Sequence, residues 1–129
     1  MELKRYRVLI TAHSFGTCGK EAFDILESNN LDYKVLHKKE IFKEEELIRE
    51  VENYDALIVG ADLVSRKVIE NAPRLKIISK HGVGLDNIDL EAAQEKNIVV
   101  KSALGSNNIA VAELTVGLLL ALSRKIVLC

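Results

Sequence analysis

Five short apolar runs alternate along the chain with stretches whose apolar residues recur at helical spacing. The first run, residues 7–12 (RVLITA), is rich in β-formers and is ended by a polar loop containing Gly16 and Gly19. Residues 20–28 (KEAFDILES) then set Ala22, Phe23, Ile25 and Leu26 on one helical face, with Asn29 and Asn30 as the stop. A second strand is predicted at 33–37 (YKVLH), a charged surface helix at 43–53 with Leu47, Ile48 and Val51 as its core stripe, and a third strand at 55–60 (DALIVG). Pro73 divides a short helix at 65–71 from a fourth strand at 75–79 (LKIIS). A short helix at 90–95, a fifth strand at 98–100 and a long helix from 108 to about 125 complete the order.

Strands alternating with helices, each strand too apolar to face water, predict an α/β fold with a five-stranded parallel sheet covered on both faces. A flavodoxin-like three-layer domain with strand order 2-1-3-4-5 fits this number of strands. Right-handed crossovers then gather the loops after the strands along one edge, with His13, Lys38, Lys39, Asp62, Lys80, His81 and Lys101. The edge is cationic on balance, and helix N-termini add to that bias. Two readings stand at this point: a site for a small anion, or lysines that solvate a sheet edge.

Composition narrows the class. The chain has 129 residues, 48% hydrophobic and 29% charged, which suits one globular domain with a real core. Its formal net charge of -1, with both signs mixed throughout, gives no reason to expect a nucleic acid or membrane partner. The two cysteines, Cys18 and Cys129, are too few for a disulfide framework or a zinc site, and a reducing cytoplasm is the simplest expected location. The apolar run near the start is too short for a signal segment.

Candidate chemistry concentrates in residues 80–113, where two polar, glycine-bearing loops each follow a strand and lead into a helix. His81, Gly82, Val83 and Gly84 imitate a dinucleotide loop, but Asn87 stands at the third glycine position, and Lys101 stands where a ribose-binding acid belongs. The sequence therefore argues against a nicotinamide site here. Two glycines do allow close backbone approach and open N–H donors, which suits a carboxylate, and they equally suit a plain tight turn. Asp89, three residues before Ala92, and Asn108, ahead of Ile109, are expected to cap helices, leaving Asn107 free for a ligand. His13, His37 and His81 have no metal-ligand spacing and no local Ser or Asp partner, so His81 is expected only to line the site and no metal is expected.

The last helix is apolar almost all round, with Glu113 its only charge before Arg124. Its uninterrupted apolar stretch, 114–122, is too short to span a bilayer. Burial on more than one side is expected, through a further domain or a homo-oligomer formed by residues 109–126.

The segment LKIISKHGVGLDNIDLEAAQEKNIVVKSALGSNNIAVAELTVGLLLALSRKI resembles the D-isomer-specific 2-hydroxyacid dehydrogenase family, and is most like its D-3-phosphoglycerate dehydrogenase branch. The likeness runs from about residue 55 to 126 and rests on the glycine loop, the D-N-I-D segment and the asparagine loop ahead of V-A-E. It implies that residues 1–105 are a substrate-binding (catalytic) domain and 106–129 a crossing helix toward a nucleotide-binding domain. It also implies that Val83 and Gly84 offer backbone N–H groups to a substrate carboxylate, with Asn107 near the reacting carbon and Lys80 and His81 alongside. NAD is the family's cofactor, and the arginine, glutamate and histidine of its chemistry come from the later domain, so this chain alone is expected to bind no cofactor and to be inactive.

Two departures bear on the substrate. The loop after the third strand reads Gly60-Ala61-Asp62-Leu63, without the arginine that phosphoglycerate dehydrogenases often carry there, so Lys80, His81 or Lys101 would have to supply the charge. Ser102-Ala103-Leu104 replaces the family's frequent asparagine-threonine-proline. The expected partner is therefore a small anionic 2-hydroxy or 2-keto acid, with a stand-alone flavodoxin-like ligand-binding or interaction module as the alternative.

Overall fold

The computed structural model describes residues 5–36, 38 and 40–126. Parallel strands β1 (Arg7–Ile10), β2 (Asp32–Val35), β3 (Ala56–Val59), β4 (Ile77–Lys80) and β5 (Val99–Ser102) lie in the order β2-β1-β3-β4-β5, the flavodoxin-like order expected. Helices α1 (Glu21–Ser28), α2 (Glu44–Val51), α3 (Arg66–Glu70), α4 (Leu90–Glu95) and α5 (Asn108–Ser123) connect and extend them. His37, Lys39 and Cys129, which figured in the sequence reading, lie outside the described residues.

Register explains the core. Leu9 pairs with Leu57, Leu57 with Ile78 and Ile78 with Val100, so these residues share one face of the sheet. Against that face pack Leu47 and Val51 of α2, Val68 and Ile69 of α3, and Ala92 and Ala93 of α4. Each fully buried leucine or isoleucine here stabilises the fold by about 1.5–3 kcal/mol. Val8 and Ile10 point the other way, to Phe23 and Leu26 of α1.

That second face is covered only in part, contrary to the sequence expectation. Ile77 is 38% exposed and Val99 49% exposed. The cause is topological. The connections from β2 to β3, β3 to β4 and β4 to β5 all progress the same way across the sheet, so right-handed crossovers put α2, α3 and α4 on one side, and only the reversed step from β1 to β2 places α1 on the other. Helix α5 follows β5 and leaves the sheet without burying a single residue. On α1, the predicted apolar face loses Ile25, which is exposed, and keeps Leu26.

Strands β4 and β5 also run later than predicted. Leu75 N–H turns back to Ala72 O, and the ladder begins only where Lys76 N–H reaches Asp55 O; Ile98 N–H likewise goes to Ala93 O before Val99 N–H joins Lys76 O. Lys80, Lys101 and Ser102 are therefore strand residues with fixed facing.

At the opposite edge, buried Asp55 accepts the Arg7 N–H at 3.0 Å and the Arg74 guanidinium at 3.2 and 3.3 Å. Asp55→Ala strands the Arg7 N–H between β1 and β3, and is expected to cost about 1–3 kcal/mol in urea unfolding.

Candidate functional site

The C-terminal ends of the strands are stitched together by one side chain. Asn87, in the loop after β4, donates to Gly60 O at 3.1 Å and to Asp62 O at 2.6 Å, while its Oδ1 accepts from Lys80 Nζ at 2.7 Å. Lys80 Nζ donates a second bond to Gly60 O at 2.6 Å. The backbone repeats the link, with Val64 N–H on Asn87 O and Asp89 N–H on Val64 O in a short parallel bridge. Asp62, only 4% exposed, uses its carboxylate on the Phe42 N–H at 2.8 Å and so draws in the segment ahead of α2. Charges buried this way are tolerable only because each finds a donor or acceptor.

Within this frame the loop after β4 is shaped by Gly82, whose φ of +149° is rare for L side chains. The Gly82 carbonyl accepts Ala103 N–H at 2.9 Å, which ties the loop after β5 to the loop after β4. The N–H groups of Val83 and Gly84 donate to no acceptor among the described residues, and Gly84 is exposed. Asn107 is itself the N-cap residue of α5, correcting the expectation that Asn108 takes that place. Its side chain makes no capping bond, so its amide is open. Asp89 caps α4 as expected, accepting Ala92 N–H at 2.8 Å.

The cations of this edge are not equivalent. Lys38 Nζ meets Glu46 at 2.6 Å, and that hydrogen bond, with a second from the Lys43 N–H, holds the Glu46 carboxyl below its ordinary pKa. Lys80 has spent two of its three donors on Gly60 and Asn87. His81 Nε2 sits 3.1 Å from Ser14 Oγ and its ring lies edge-on to Phe15 at 5.9 Å. This partner lies 67 positions away, where a search for local partners does not reach. The side chains of Lys101 and His13 make no ion pair or hydrogen bond among the described residues.

A dinucleotide does not fit the loop after β4. The place of the third glycine is filled by Asn87, fully engaged, and the first turn of α4, six residues long, already carries the Asp89 carboxylate that a pyrophosphate would have to displace. What the loop does leave open is two adjacent backbone N–H donors, at Val83 and Gly84.

Sequence comparison places this geometry among known proteins. The profile of the D-isomer specific 2-hydroxyacid dehydrogenase catalytic domain matches residues 8–125. A D-3-phosphoglycerate dehydrogenase of Archaeoglobus fulgidus is 45% identical over 108 residues, which are 83% of this chain and 20% of that protein. A Thermus thermophilus protein of known structure superposes with a TM-score of 0.83 at 37% identity, over 94% of this chain and 38% of that one. The NAD+-bound 3-phosphoglycerate dehydrogenase of Entamoeba histolytica superposes with a TM-score of 0.78 at 28% identity, over 92% of this chain and 39% of that one. The chain thus spans about a fifth of the length of the Archaeoglobus relative.

Asn87→Ala removes three side-chain bonds and leaves the Lys80 ammonium short of a partner. It is expected to cost about 2–3 kcal/mol in urea unfolding, against less than about 0.5 for Asn71→Ala on the exposed end of α3.

Proposed function

The chain belongs to the D-isomer specific 2-hydroxyacid dehydrogenase family, and on that premise we propose that its residues form the substrate-holding half of an NAD-dependent 2-hydroxyacid dehydrogenase, with 3-phosphoglycerate as the favoured substrate. The observation that carries the reading is the pair of unpartnered N–H groups at Val83 and Gly84, in a loop that the Ala103–Gly82 bond ties to the loop leading to Asn107 and α5. A substrate carboxylate accepts both N–H groups in charge-assisted bonds, and the Asn107 amide donates to the oxygen on C2. Lys80 reinforces the site's positive potential from beneath while it braces the loop, and His81 lines it. Together these groups orient an acid. The residues assigned to the site include no hydride acceptor, so the redox step belongs to a nucleotide-binding part of the enzyme.

In the same proposal α5 is the crossing helix between the two parts. Its apolar surface, exposed along Val111, Leu114, Leu118 and Leu122, is covered by the nucleotide-binding part and by the same helix of a second copy in a cytoplasmic homo-oligomer. A flavodoxin-like binding module is disfavoured by the loop after β1, where the Thr17 hydroxyl already donates its proton to Ser14 O at 2.8 Å.

Two assays on the 129-residue chain test the proposal together. Isothermal titration is expected to show binding of 3-phosphoglycerate, weakened about three- to ten-fold by Asn107→Ala, the range of one net hydrogen bond. The same chain given NAD and 3-phosphoglycerate is expected to form no NADH. Turnover by the chain alone would overturn the division of labour, and failure to bind any 2-hydroxy acid would overturn the site.

A further inference from the structure

Strand β3 lies between β1 and β4, yet a side chain from the end of β4 reaches across it to the loop after β1. His81 continues the alternation of Ile77 and Ser79 and so sits on the α1 side of the sheet, its N–H anchored to Val59 O at 2.8 Å. On β3 the residue in line with this crossing is Gly60, which follows Ala56 and Ile58 on the same side and has no side chain to stand in the way. The imidazole reaches Ser14 Oγ at 3.1 Å. The far end is firm: Phe15 stacks edge-on against Phe23 at 5.2 Å, and Phe23 lies on Tyr33 at 5.5 Å, so an aromatic row runs from the sheet edge back to β2.

Resting on the carboxylate reading of Val83 and Gly84, we infer that the His81–Ser14 bridge is the specificity-determining wall of the site, and that it selects acids whose third carbon bears an oxygen substituent. His81 is two residues from Val83, so its Cα lies within about 7 Å of that residue's. With the carboxylate on Val83 and Gly84 and C2 toward Asn107, the rest of the substrate has two ways to extend. Toward the loop after β3 it meets Gly60 O, already accepting two bonds, and the buried Asp62 carboxylate, neither of which can donate. Toward the loop after β1 it meets the Ser14 hydroxyl and the imidazole nitrogen not used on Ser14, both able to hydrogen-bond an oxygen. A Cβ at Gly60 would press on Ala12 Cα at 3.3 Å, so β3 carries no side chain beside the bridge.

The test measures affinities of the 129-residue chain for three acids by isothermal titration: glycolate, which ends at C2; D-lactate, with a bare methyl; and D-glycerate, with a hydroxyl on C3. The wild-type chain is expected to prefer D-glycerate over D-lactate by about three- to ten-fold. His81→Leu is expected to lower D-glycerate affinity more than D-lactate or glycolate affinity and so abolish that preference, and His81→Gln, which can still reach Ser14, to restore part of it. Equal losses on all three acids in His81→Leu would make the bridge a structural brace only and overturn the inference. So would a wild-type chain that binds glycolate and D-lactate as well as D-glycerate. Failure of glycolate itself to bind the wild-type chain would count instead against the carboxylate site on which the inference rests.

Discussion

The side-chain amide of Asn87 is the constraint on which the candidate site depends. Its two N–H groups and its oxygen each meet a partner in another part of the chain, Gly60 and Asp62 on one side and Lys80 on the other. Loops after parallel strands have no ladder to hold them, so their backbone groups must find partners in water, in ligands or in each other. Here the loops after β3 and β4 find each other through Asn87. The loop after β4 can then leave the N–H groups of Val83 and Gly84 open at a fixed place, and the Gly82 carbonyl passes the order on to the loop after β5. A site built this way is organised before a ligand arrives, which lowers the ordering cost of binding.

Electrostatics at the edge follow from the same frame. Counting charges along the sequence makes this edge look like a loose cluster of cations. In the fold, Lys38 is neutralised by Glu46, and Lys80 serves as a brace whose charge is shared with Gly60 O and Asn87. On the proposed reading, an incoming acid meets backbone N–H groups, the Asn107 amide and the His81–Ser14 bridge, with Lys101 as a lysine of this edge whose side chain makes no ion pair or hydrogen bond among the described residues. Such a surface reads the shape and hydrogen bonding of its ligand more than its total charge.

Much of the fold was legible in the sequence because burial and topology leave few choices. Apolar runs separated by amphipathic helices admit a parallel sheet, and five of them in this length admit the observed order. Capping by Asp89 was visible because it is local, three residues from its partner. Contacts that join distant positions were not visible. Asn87 stood out only as the residue spoiling a glycine motif, and nothing local tied it to Gly60 or Asp62, 27 and 25 positions away. The His81–Ser14 contact was hidden for the same reason. The bare half of the sheet was missed because strand composition reports how apolar a face is, whereas crossover direction decides which helix covers it. For Asn107 the error was one residue, within the usual slack of helix ends, yet it leaves the open amide at the very start of α5.

The central claim is that a 2-hydroxy acid is held by its carboxylate on the N–H groups of Val83 and Gly84. Amide-resolved NMR of the 15N-labelled chain, titrated with D-glycerate, tests it most directly. The Val83 and Gly84 amide signals and the Asn107 side-chain amide are expected to move together downfield along one saturable curve, while amides at the opposite edge, around Asp55 and Arg74, stay still. Saturable shifts that spare Val83 and Gly84 and appear elsewhere on the domain would contradict the account.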